Sequence, residues 1–570
     1  MPVFFGGRFL VAPTVASRVD DSALVNPNPA GGFGLALIGQ AEGGEPGVAL
    51  KFSDPARARQ VLRSGKLLDA LERAMHPSND SDFPGAGTVT AIRVNPATKA
   101  TLTLKDSTSA DVIILNSSDW GRWNNQIKVK IENGTQTGKK KATVAYADQV
   151  ISKDNIGRDI LSLQYTGANT TATITINDTS LSLAAGTGES FTANFSDYPT
   201  VQALYDFLAT KSFLTVTLLA DNAEHPTASA LDFVSAQDVK TAAYTVTANL
   251  QALIDWFNST EEPYVDATRA TNAGKVPANT DGYVYLSGGS EGTIINQNWQ
   301  DAFDVLKQQD VYVICPVTDE AAIHAMGDTH CQFMSGPSGK KERVQFVGAT
   351  QGEQMSDWIT RAQGLNSDRT ALVVQGVKDF DRNGSLVTFP PPLLAAQLAG
   401  MFASGGPGRA LTNRYIVARG LDPLVKPEDR DTLLLAGIIP VEFVDGRGFK
   451  VVQSITTWIA DTRYTRRELS TRWAADHTVR TVRESLEPLP GTTAGPQLIA
   501  LAISRTESTL KRRAAEGIIV GDAENPAFKN IQAFIDGDVL SVSFEASPAI
   551  PANYILLTAH LVPYTSNTAA

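Results

Sequence analysis

The cleanest alternation of apolar and polar residues lies near the C-terminus. Across Asp538–Ala546, Leu540, Val542, Phe544 and Ala546 share one face, and Val539, Ser541, Ser543 and Glu545 share the other. A turn at Ser547-Pro548-Ala549-Ile550-Pro551 leads into Tyr554–Val562, where Ile555, Leu557, Ala559 and Leu561 repeat the period of two. The pattern predicts two strands close to the end of the chain. Their unpaired N–H and C=O groups would form an edge that little charge protects. A strand from a neighbouring subunit is the simplest cover for such an edge.

Upstream, residues before about Asn26 hold few periodic apolar positions and predict an extended arm. Phe33–Ile38 predicts a buried strand, and Asp54–Met75 predicts one helix with Leu62, Leu67, Leu68 and Leu71 on a stripe. Strands are expected at Thr88–Val94, Ala100–Leu104, Val112–Leu115 and Ile127–Ile131. Between about Trp120 and Thr245 the chain becomes rich in Thr, Ser, Asn and Gly. Short alternating runs there are interrupted by one helix near Val201–Ala209, which predicts an inserted β-rich module.

From about Leu250, strand candidates at Tyr283–Leu286, Val311–Cys315, Val344–Val347 and Ala371–Val374 alternate with helices near Trp299–Lys307, Asp319–Met334 and Gln354–Ala362. Short apolar strands separated by helices predict a parallel sheet covered on both faces. A Pro-led helix follows at Pro390–Ala403. Beyond Ile455 the chain predicts mainly helix, at Tyr464–Leu486 and Pro496–Glu516, before the terminal ribbon.

At 570 residues the chain exceeds one ordinary core, and about three or four domains are expected. A net charge of -11 argues against a general nucleic-acid or anionic-membrane binder. The two cysteines, Cys315 and Cys331, give no disulfide framework, as expected of folding in a reducing cytoplasm. The N-terminus lacks the basic flank and apolar run of a signal peptide, and apolar runs such as Leu393–Ala403 are too short to span a membrane.

Little of the sequence suggests catalysis. Asp319, His324, His330 and Ser335 could suggest a hydrolase on an α/β core, yet no Gly-x-Ser-x-Gly elbow follows a strand. Cys315, His324, His330 and Cys331 lack paired metal-ligand spacing, and Gly31-Gly32-Phe33-Gly34 precedes a strand where a dinucleotide loop follows one. No cofactor or metal is expected. Glu261, Glu262, Asp301 and Asp304 are expected to be exposed, and Trp120 and Trp123 to pack beneath the inserted module. Arg463, Arg466 and Arg467 form a basic cluster at a helix start in an acidic chain. Lys511-Arg512-Arg513 suits the C-terminal end of a helix.

Several segments in order resemble the sheath protein of contractile phage tails. They include Asn28-Pro29-Ala30-Gly31-Gly32-Phe33-Gly34, Leu62-Arg63-Ser64-Gly65, Arg93-Val94 and Asp119-Trp120-Gly121-Arg122-Trp123-Asn124-Asn125-Gln126-Ile127. Leu286-Ser287-Gly288-Gly289-Ser290-Glu291-Gly292, Val347-Gly348-Ala349, Ala395-Ala396-Gln397-Leu398-Ala399-Gly400, Leu411-Thr412-Asn413, Leu435-Ala436-Gly437-Ile438 and Ile455-Thr456-Thr457-Trp458 follow. Each is weak alone; their colinear order is specific.

The residue pattern and the resemblance together predict an α/β core with an inserted β-rich peripheral module, whose fold the resemblance does not supply, and an α+β C-terminal domain with swapped terminal strands. The same reading divides the chain into an N-terminal arm (1–25), a first part of the core (26–118), the inserted module (119–248), the α/β core (249–450), a helical C-terminal domain (451–535) and a C-terminal ribbon (536–570). Val3, Phe4 and Phe5 of the arm, and Leu540, Val542, Phe544, Ile555, Leu557 and Leu561 of the ribbon, are the expected inter-subunit strand-exchange residues. Arg463, Arg466 and Arg467 are the expected contacts to a tail tube protein. The implied partners are further copies of the chain, the tube, and baseplate and tail terminator proteins, with no nucleic acid and no membrane insertion. The implied setting is a virion assembled in the bacterial host cytoplasm. Sheaths of R-type bacteriocins and type VI-like injection systems share the kinship. An α/β hydrolase with accessory β modules is the alternative of a different class.

Overall fold

A computed structural model of the chain describes residues 34–219 and 222–561, with the backbone of Val3–Phe5 and Arg8–Leu10. Its centre is a seven-stranded sheet in the order Ile438–Ile439, Thr370–Val373, Val344–Gly348, Val313–Pro316, Leu35–Gly39, Val89–Arg93, Ala49–Phe52. Neighbours run parallel except for Ala49–Phe52, which is antiparallel to Val89–Arg93. Every residue of the six parallel strands is buried, because helices cover both faces.

Alternate residues feed two cores. Leu35, Leu37, Val313 and Cys315 point to one face, where Lys66–Met75 and Pro391–Gly405 pack. Ala36, Ile38 and Ile314 point to the other, beneath Asn296–Leu306 and Ala321–Ser335. Gly400 brings Pro391–Gly405 against Lys66–Met75 so closely that a Cβ there would stand 2.1 Å from the Ala74 carbonyl oxygen.

Two expected helices are broken. The stripe across Asp54–Met75 forms Pro55–Leu62 and Lys66–Met75, separated where Arg63 and Gly65 adopt φ of 62° and 106°. Tyr464–Leu486 forms Tyr464–Arg467 and Leu469–Leu486, separated at the extended, buried Glu468, whose backbone bridges Ile455. The strand expected at Tyr283–Leu286 is not part of the parallel sheet. Val284–Tyr285 instead pairs antiparallel with Lys128–Asn133.

The Ser/Thr-rich middle has real cores, the first of which it shares with segments on either side of it. Thr101–Lys105, Asp111–Ser117, Lys128–Asn133, Lys140–Tyr146, Gln149–Ile156 and Val265–Arg269 enclose Ile113, Leu115, Ile131 and Val144 with helix Asn249–Phe257. Nested within that unit, two further sheets and helix Val201–Ala209 bury Ile160, Leu163, Ile174, Leu181 and Leu204. One inner face per sheet explains the alternation.

The C-terminal region packs Leu469–Leu486 against Pro496–Ala515 and lays a β-hairpin over them. That hairpin, Phe528–Asp536 with Val539–Ala546, begins earlier than the apolar pattern predicts. The expected strand at Tyr554–Val562 is not formed: described residues 551–561 hold no strand.

Candidate assembly surfaces

The terminal hairpin turns through Gly537-Asp538, with Asp536 opposite Val539 and Gly537 at φ 60°, the first-position glycine that tight hairpins favour. Phe528, Ile531, Phe544 and Ala546 pack on Val482, Leu510 and Ile519 of the supporting helices and loop. Leu540, Val542 and Phe544 also line an open cleft of about 670 Å³, with Val479 and Leu486 beside Lys340, Arg480 and Arg483. A second cleft of about 620 Å³ continues under Leu540 and Val542 to Leu489 and Leu498. The ribbon residues expected at an interface therefore border uncovered apolar space.

The chain then leaves the domain. Ser547 N donates to Ala527 O and Ala549 N to Ile518 O, both at 2.9 Å; Asn553 Nδ2 donates to Glu468 Oε2 at 3.3 Å. Beyond Asn553, Tyr554, Ile555, Leu556, Leu557 and Leu561 are 82–95 % exposed. Burying one such aliphatic side chain is worth about 1.5–3 kcal/mol, so this run is a strong driving force for contact with another surface. At the other end, Val3–Phe5 pairs antiparallel with Arg8–Leu10, placing Val3 opposite Leu10. The side chains of Val3, Phe4 and Phe5, and the rest of the expected arm, lie outside the described residues.

The basic cluster separates into three environments. Arg463 is 69 % exposed at its side chain, with Nε 3.7 Å from Asp461 Oδ2. Arg466 shares Asp461 at 3.8 Å and stacks 4.7 Å from the Trp458 ring centroid. Arg467 turns inward, and its Nη2 donates to Leu434 O at 2.9 Å. The Arg463 N–H, the Trp458 indole N–H and the two guanidinium charges hold Asp461 below the ordinary carboxylate range. In Lys511-Arg512-Arg513, Lys511 pairs with Glu507, while Arg513 is buried and donates to His477 Nε2 and Glu516 Oε1.

A buried ionic cluster joins this region to the core. Arg369 and Arg472 both bind Asp476, Tyr312 Oη donates to the same carboxylate, and Arg472 also pairs with Asp368. Burial alone would push the Asp476 carboxyl up; the two guanidinium charges overcome it and hold the group below its usual range.

The residues weighed for catalysis do not converge. His324 and Ser335 are eleven positions apart on one helix, about 16 Å along its axis. His324 is buried, its Nε2 donating to Thr318 O, and burial pushes it down to about 4. His330 Nε2 accepts from Arg343 Nη1 at 2.8 Å, and Ser335 Oγ accepts from Arg343 N. Cys315 and Cys331 are buried thiols pushed up by desolvation, and among the described residues no group of three His, Cys, Asp or Glu side chains could hold a metal. Glu262, expected at the surface, is instead buried. It accepts from Tyr264 N and Val265 N, and burial pushes it up to about 7. Trp123 packs inside the outer module, edge-on to Tyr146 at 4.9 Å.

Known proteins agree with this architecture. The chain is 30 % identical to the tail sheath protein of Bacillus phage SP01, covering 99 % of this chain and 97 % of that one. It is 29 % identical to a putative tail sheath protein of Enterococcus phage phiEF24C, with 95 % of each covered. The crystal structure of a sheath tail protein from Listeria innocua matches with a TM-score of 0.56 at 13 % identity, covering 93 % of this chain and 95 % of that one. A sheath tail protein from Desulfitobacterium hafniense matches with a TM-score of 0.54 at 14 % identity, covering 94 % and 97 %. No family model matches the chain. An α/β core carrying nested β units, an uncovered terminal hairpin and near-complete alignment to a phage relative lead to one assignment: the chain belongs to the tail sheath protein family.

Proposed function

We propose that this chain is the structural sheath of a contractile phage tail, without enzymatic activity. It polymerises helically around the tail tube, with baseplate and terminator proteins at its ends, and contracts to drive the tube through the host envelope during genome delivery. The carrying observation is the exposed apolar run Tyr554–Leu561 following a hairpin whose Leu540, Val542 and Phe544 border open clefts. Head-to-tail contacts that do not close into a ring build a helix. Strand addition suits them, because backbone hydrogen bonds connect subunits while flexible flanks let them rotate.

In this reading the terminal strands keep neighbours joined while the core domains slide to a state of greater mutual burial. At roughly 25 cal/mol per Å², about a hundred Å² per subunit yields about 2.5 kcal/mol, multiplied over the polymer. The exposed Arg463 is the strongest candidate for a salt-sensitive tube contact, and the nested β units project away from the tube. Negative-stain microscopy of the purified protein tests the reading. Long hollow helical polymers support it; discrete small oligomers at every concentration contradict it.

A further inference from the structure

The β unit built on Asp111–Ser117 and Lys128–Asn133, here the outer β unit, is fastened to the core at two places that differ in kind. At one, Glu291 accepts from Arg93 Nη2 at 2.5 Å, Asn95 Nδ2 at 2.7 Å and Arg122 N at 2.8 Å. Arg93 is buried, and its Nη1 also donates to Gly44 O and Trp120 O. Gly121 is required here, because a Cβ would stand 2.4 Å from Glu42 O. This fastening is held by charge-assisted hydrogen bonds through both terminal guanidinium nitrogens of Arg93.

The second fastening is strained. Arg63 ends helix Pro55–Leu62 at φ 62°, ψ -62°, and Ser64 N donates to Leu62 O at 2.7 Å. That is a γ-turn with positive φ, rare for a residue carrying a side chain. The backbone distortion throws the guanidinium across the joint. Its Cζ sits 3.1 Å from the Trp123 ring centroid and 5.4 Å from that of Tyr146, with Nε 3.6 Å from Asp119 Oδ2. Arg63 belongs to the core by its helix, whereas Trp123 and Tyr146 belong to the outer unit.

We propose that Arg63 is a strain-loaded latch between the core and the outer β unit. Cation–π attraction in a partly dry cage opposes the cost of the γ-turn. Withdrawal relaxes the backbone, uncovers one face of Trp123 and leaves the Glu291 cluster and the Gly44 N–Asp119 Oδ1 hydrogen bond holding the joint. The latch therefore lets the outer unit alter its angle on the core without unfolding either. The device is intramolecular, and a chain that forms no polymer tests it equally well.

Hydrogen–deuterium exchange on the full chain reads the latch directly. Glycine adopts the turn without strain, so Arg63→Gly removes the side chain and the backbone cost together. Exchange at 40–44 and 119–126 should rise about tenfold, while 160–219 inside the nested unit stays unchanged. Unchanged or slower exchange at the joint would overturn the proposal, since strain relief would then be the whole effect. Arg63→Lys keeps the charge but loses the planar face. It should also exchange faster at the joint, and wild-type exchange in that variant would overturn the proposal even if Arg63→Gly fails to fold.

Discussion

Arg369, beside a central strand, grips Asp476 on a C-terminal helix with both nitrogens: Nη1 lies 2.8 Å from Oδ2 and Nη2 3.2 Å from Oδ1. Both side chains are more than nine-tenths buried. Breaking a buried pair from one side leaves an uncompensated charge, so Asp476→Ala is expected to cost about 3–5 kcal/mol in urea unfolding. A change below about 1 kcal/mol would mean that water reaches the site.

Acid should loosen the same region. His477 accepts from Arg513 Nη1, and burial together with the Arg513 and Arg480 charges lowers it from 6.5 to about 4. Burial, followed by the Arg343 and Lys307 charges, lowers His330 to about 3. With folded values depressed, the unfolded chain binds more protons below pH 6.5. Stability is therefore full above that pH and falls as pH drops through about 4, by on the order of 3 kcal/mol for His477. Thermal melting between pH 7 and 4 should show the fall, and His477→Gln should flatten it. An unchanged acid limb in that variant would remove His477 from the account.

Gly400→Ala offers a test of opposite sign to helix propensity. Alanine ordinarily stabilises a helix interior by about 0.8–1 kcal/mol over glycine. Here the added carbon meets the Ala74 carbonyl 2.1 Å away, so the variant should melt lower than wild type, by an overpacking cost of about 1–3 kcal/mol. A higher melting temperature would show that the two helices separate freely.

The sequence was most readable where burial is symmetrical. Val344–Gly348 and Thr370–Val373 are buried on both faces and announce themselves as short apolar runs. Val201–Ala209 is bounded by its cap, Thr200 Oγ1 accepting from Ala203 N. Phe528–Asp536 was hidden because the register shifts between Lys529 and Gln532, where Asn530 takes φ 55°, so its apolar residues change phase. The break at Arg63 carried a signal in Ser64-Gly65, overridden by the leucine stripe on either side. Glu262 and Arg467 are set by partners that folding supplies. Backbone N–H groups at a tight turn hold the first, and Leu434 O, thirty-three residues away in sequence, holds the second. The apolar alternation after Asn553 was legible as a strand pattern, yet residues 551–561 form no strand within the single chain, where no strand among the described residues pairs with them.

If Arg463 contacts the tube, Arg463→Glu should reduce co-sedimentation of sheath with purified tube protein at low salt, with the difference vanishing near 1 M salt, where screening acts within about 3 Å. Arg467→Glu should instead lower the stability of the monomer, because Arg467 Nη2 is committed to Leu434 O. Equal co-sedimentation of wild type and Arg463→Glu at low salt would remove the cluster from the tube face.

If the exposed tail joins subunits, its removal should abolish polymerisation without unfolding the chain. Deleting 554–570 keeps Asn553, whose Nδ2 donates to Glu468, and so preserves the last hydrogen bond to the folded domain among the described residues. Electron microscopy of that truncated protein, beside the full chain at equal concentration, is the most direct measurement. A folded monomer with wild-type melting and no helical polymers is expected; polymers of normal length from the truncated chain would show that subunits join elsewhere.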